Sequence, residues 1–77
     1  MFRVVRYSVQ PYERRRGQLI PGDAALYRER EDALRAAAIM RRRVAGVAVY
    51  EVAGWPMQDL WREPRLIMRA GDAPPQP

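Results

Sequence analysis

The chain has no lysine, no histidine, no cysteine and no threonine, and Ser8 is its one serine. Each absence closes a class of chemistry. Without cysteine, neither a disulfide nor a thiolate metal site can staple the fold. Without histidine, the commonest general base and metal ligand is missing, and Ser8 has nothing to activate it as a nucleophile. The five glycines stand singly at breaks, so no phosphate-cradling loop is present. Asp59 and Glu63 could in principle form a carboxylate pair, but they read as solvated loop residues. The expectation is a non-enzyme with no catalytic residue, cofactor, metal site or small-molecule substrate. No apolar run reaches the roughly 18 to 20 residues that cross a bilayer. Arg3 and Arg6 interrupt the start of the chain and no signal-type apolar core follows, so a soluble, cytoplasmic protein is expected.

Arginine takes the place of the missing bases. All fourteen basic residues are arginine, against nine acidic ones, for a formal net charge of +5. A guanidinium surface would suit phosphates, because each group presents a rigid fork of donors. The same excess follows from composition alone when acids are interspersed, as they are here. Two triplets stand out, Arg14-Arg15-Arg16 and Arg41-Arg42-Arg43. Nucleic-acid binding through Arg14, Arg15, Arg16, Arg35 and Arg42 is the alternative reading that this charge supports.

Periodicity sets the elements. Residues 2–9 alternate as a strand, with Val5, Tyr7 and Val9 on one face, and Pro11 is expected to limit it or to confine its end to an edge. Tyr7 therefore reads as core rather than as a stacking platform. Residues 12–16 read as a charged loop, Gly17 and Pro21-Gly22-Asp23 as turns, and the short Gln18-Leu19-Ile20 as an edge. A short strand over 24–28 is expected to point Leu26 inward. From 29 to 44 the period becomes 3.6, placing Ala33, Ala36, Ala37, Met40 and Val44 on one stripe. Acidic residues open this helix, Arg41 to Arg43 fill its last turn, and Gly46 stops it. Val47 to Val52 is the most apolar segment and belongs at the centre of a sheet. Gly54-Trp55-Pro56 breaks that strand, a loop runs to Pro64, and residues 65–69 form the last strand.

The order β-β-α-β-β implies an α+β fold, a two-layer sandwich with one helix packed on a small, mostly antiparallel sheet. Residues 1–70 make one domain and 71–77 a disordered Pro-rich tail. The chain resembles a group of small bacterial proteins of about 70 residues with this same layout. The resemblance is carried by Leu19-Ile20-Pro21-Gly22, Ala33-Leu34-Arg35-Ala36-Ala37, Arg43-Val44-Ala45-Gly46-Val47 and residues 64–71. It implies the layout and no activity.

One helix cannot cover both faces of a four-stranded sheet, so the far face is polar or meets a partner. Two tryptophans add to this. Trp55 and Trp61 flank Met57 and Leu60 in a loop that a 77-residue chain cannot fully bury. The leading functional expectation is a protein-interaction or self-associating module that uses Trp55, Met57, Leu60 and Trp61 together with the uncovered sheet face. An alanine-lined helix stripe offers too little insertion energy for a membrane surface.

Overall fold

The computed structural model describes residues 2–75. Six strands and one helix follow the chain as β1 (Val4–Arg15), β2 (Gln18–Pro21), β3 (Ala25–Tyr27), α1 (Arg30–Met40), β4 (Gly46–Trp55), β5 (Leu60–Trp61) and β6 (Arg65–Gly71). Every pairing is antiparallel. Two long strands, β1 and β4, form the centre. β2 and β3 lie end to end along the outer edge of β1, and β5 and β6 do the same along β4. The fold is α+β as expected, but the sheet is curled into a half-barrel and is not the flat layer of a two-layer sandwich.

β1 is longer than the sequence implied because Pro11 does not end it. The carbonyl of Pro11 accepts from the Gly22 amide at 2.9 Å, so its donor-less nitrogen faces the same edge. That edge is where β2 has ended and β3 has not begun, so no ladder bond is lost. The strand then carries Glu13, Arg14 and Arg15 into a hairpin rather than a loop. Arg16 and Gly17 both have positive φ, at 53° and 79°, the geometry of a two-residue hairpin turn.

The helix is shorter than its periodicity. It stops at Met40, where the Arg42 and Arg43 amides bond back to Ile39 and Met40, three residues earlier. Arg41 to Arg43 thus lie in turns beyond the helix, and Gly46 opens β4 instead of capping α1. The predicted stripe holds. Ala33 and Ala37 are fully enclosed against Val9, Val47 and Val49, with Met40, Val44, Tyr7, Tyr27 and Ile67 packed around them. Val5 is half-buried outside this cluster, and Leu66 packs on the other sheet face.

That other face has a small core of its own, made of Tyr12, Ala48, Tyr50 and Ala73 with Leu19 and Leu66 beside them. Ala73 belongs to the segment expected to be a disordered tail. Instead Gly71 ends β6 and Ala73 is wholly buried. Its carbonyl accepts from the Arg69 guanidinium. Residues 76–77 of that expected tail lie outside the described residues. Among the described residues, no helix is long and apolar enough to cross a membrane.

The interior is built from small side chains, the largest fully enclosed ones being Val9, Val47 and Val49. The molecule is also elongated, 45 × 22 × 17 Å, with a radius of gyration of 13.1 Å. A compact domain of this length would measure about 11.5 Å. The whole chain exposes 5764 Å², against about 4,850 Å² for a folded monomer of its mass.

Candidate interaction surface

Cross-strand partners share a face of the sheet, and faces alternate along each strand. This rule sorts the predicted site residues. Trp55 is opposite Leu60, while Gly54 is opposite Trp61. The two tryptophans of the hairpin therefore lie on opposite faces. Trp55, half-buried, is on the helix side with the Arg62 guanidinium 5.3 Å from its ring centre. Trp61 lies flat over Gly54 on the open face; a Cβ added to Gly54 would sit 2.5 Å from the indole ring. Glycine is what permits that contact. Met57, 88% exposed, projects from the short 3-10 turn of Pro56–Gln58 at the tip. The four residues do not form one patch; they clothe both sides and the end of a hairpin.

The open face continues from Trp61 into a groove of about 260 Å³ lined by Ser8, Gln10, Tyr12, Leu26, Tyr50, Val52 and Pro64. Among the described residues, no charged side chain lines it. Leu26, expected to point inward, is opposite Ser8 on this face and 67% exposed. The helix side of β3 is taken by Ala25 and Tyr27, opposite Val9 and Tyr7. Sequence reasoning assigned Leu26 by hydrophobicity, but the edge register decides its direction. Tyr12, Tyr50 and Val52 were likewise missed, since the face turned away from the helix was read only as a whole and not residue by residue.

Tyr50 is 5% exposed, and its hydroxyl is buried without a hydrogen-bond partner. The Tyr12 hydroxyl is beside it but does not meet hydrogen-bond geometry. Burial, then the Tyr12 hydroxyl, pushes the Tyr50 phenol up to about 12. Its folded pKa is above the unfolded value near 10, so the native state keeps a proton that the unfolded chain loses. Stability should fall as pH rises from about 10 to 12, and less so in Tyr50→Phe. At neutral pH, Tyr50→Phe is expected to be neutral or stabilising by about 1 kcal/mol, because it removes an orphaned group. Urea midpoints at both pH values check this; a clear loss of stability at neutral pH would mean the hydroxyl is bonded.

The arginines of the alternative reading are dispersed. Arg14 lies on the open-face side of β1 with Asp72 at 3.4 Å, whereas Arg15 faces the other way and meets Glu13 at 3.5 Å. Arg16 sits in the hairpin turn. Arg35 pairs with Asp32 at 3.2 Å on the outer side of α1. Arg35 and Arg42 do come together, along a shallow groove with Arg43. A separate cleft of about 660 Å³ lies between α1 and the β1 edge, over Tyr27, Ile39 and Met40. Glu13 and Asp23 there balance Arg15 and Arg43. Among the described residues, no cluster of three or more acidic side chains could hold a metal ion.

No protein-family model, curated protein or solved structure matches this chain.

Proposed function

We propose that the protein is a small non-enzymatic association module, with the β4–β5 hairpin and the open sheet face as its contact surface. The observation that carries this reading is the exposure of Met57 and Trp61 on the hairpin beside a groove without charged lining among the described residues. The difference between 5764 Å² and the value for a compact monomer is about 900 Å², close to the roughly 800 Å² per partner that a standard interface buries. The hairpin presents Met57 at its tip and Trp61 on the open face at 88 and 46% exposure, an aromatic and methionine pair typical of binding hot spots. A core whose largest enclosed side chains are valines gains from covering such area on a second chain.

Light scattering over a dilution series tests this directly. The chain should associate, and Trp61→Ala should weaken association roughly tenfold or more. Adding salt should change it only modestly, because the contact is apolar at its centre. A strict monomer from micromolar to millimolar concentration, retrieving no partner, would remove the reading. A complex with nucleic acid that persists at physiological salt would favour the arginines instead.

A further inference from the structure

Resting on that reading, we infer that the partner is a second copy of this chain, docked open face to open face about a two-fold axis that crosses the strands at Gly54. The sheet register gives the levels along the strands that such an axis would bring together. Val52 lies two residues before Gly54 on β4, and Arg6 is its cross-strand neighbour on the open face. Asp59 lies directly beyond the Trp55–Leu60 pair, two steps past Gly54 on the other side. A two-fold axis through Gly54 therefore brings the second copy's hairpin tip to the level of Val52 and Arg6, and the reverse contact forms by symmetry. Strand rise puts Asp59 and the Val52 end of the groove each about 7 Å from the axis, while the Ser8–Tyr50 level of the groove lies about 13 Å from it.

Three independent features fit this arrangement. The first is shape: the groove is uncharged and apolar-walled, and Met57 at the facing tip is almost fully exposed. Charge is the second. Arg6 bonds only its neighbour's carbonyl, Val5 O at 2.9 Å, and Asp59 is in no ion pair among the described residues. The third is the axis itself, where Trp61 lies on Gly54 and would meet its own symmetry mate. An aromatic at the centre of an isologous contact is the expected anchor.

The test is a charge exchange read by sedimentation equilibrium. Arg6→Glu and Asp59→Arg should each weaken the dimer about tenfold or more, and the double variant should restore it to within about threefold. Asp59 has positive φ (51°), so Asp59→Asn, which tolerates that backbone, serves as a second variant. It should weaken the dimer while leaving the melting temperature of the dissociated monomer, read at high dilution, unchanged. Because the chain lacks cysteine, cross-linking gives an orthogonal readout. A mixture of Val52→Cys and Asp59→Cys chains should form a cross-linked heterodimer that neither chain forms alone. A wild-type dimer unaffected by the single charge changes, or not restored by the double, overturns this arrangement while leaving the association module intact. A wild type that never dimerises overturns both.

Discussion

Ala37→Glu should remove a third or more of the protein's stability. Ala37 has no exposed surface and packs with Ala33 against Val9, Val47 and Val49, where the helix touches the two central strands. A glutamate there must either bury a charge or push the helix away from the sheet, and each costs several kcal/mol. The expected loss is about 4 kcal/mol or more, against a total stability of about 4 to 12 kcal/mol for a chain of this length. Ala38→Glu is the matched control. Ala38 is the next residue along but exposed, so that change should stay within about 0.5 kcal/mol of wild type. Circular dichroism melts of the pair decide it: a native melt for Ala37→Glu would mean that the helix presents another face.

Gly46→Ala should lower the melting temperature by at least about 10 °C although it adds a single methyl group. A Cβ at Gly46 would lie 2.2 Å from the Ala73 nitrogen and 2.8 Å from the Asp72 carbonyl carbon. Those are backbone atoms and cannot swing aside as a side chain would. The C-terminal segment must lift from β4, taking Ala73 out of the cluster that covers Tyr12, Ala48 and Tyr50. Overpacking plus that lost burial amounts to about 2 to 3 kcal/mol, which in a domain this small is at least 10 °C. Amide exchange adds a local signature, since protection at Asp72, whose amide donates to Ala45 at 2.9 Å, should be lost. An unchanged melt with Asp72 still protected would show that the backbone relaxes around the methyl.

Both substitutions sit in parts of the fold that differ in how far the sequence foretold them. The Ala33–Ala37 stripe was legible because a helix repeats at 3.6 residues whatever it packs against. Val47 to Val52 was legible as a central strand because unbroken apolar character marks burial on two faces. The break after Ile20 and the turn at Gly17 were legible from turn chemistry, since few residues suit those backbones. Residue types absent from the chain likewise set limits that no folding could lift.

What escaped was the register of the short edge strands and of the hairpin. The parity of β1 that meets the helix was legible from Val5, Tyr7 and Val9, but the pairing of the short strands β3 and β5 decides the directions of Leu26 and Trp61. A one-residue slip inverts either, and local composition carries little energy to prefer one setting. Pro11 could enter a strand because β2 and β3 leave a gap beside it, which is a property of the assembled sheet. Ala73 is buried only because Gly46 leaves room for its backbone, 27 positions away in sequence. Residue type and local period were enough for the helix stripe, the central strand and the chemistries the chain lacks, but not for the six-strand count, since β2 and β5 are short segments held as strands by pairing with β1 and β4. Tertiary structure alone decided which side chains share a surface, because faces are assigned by pairing between distant strands.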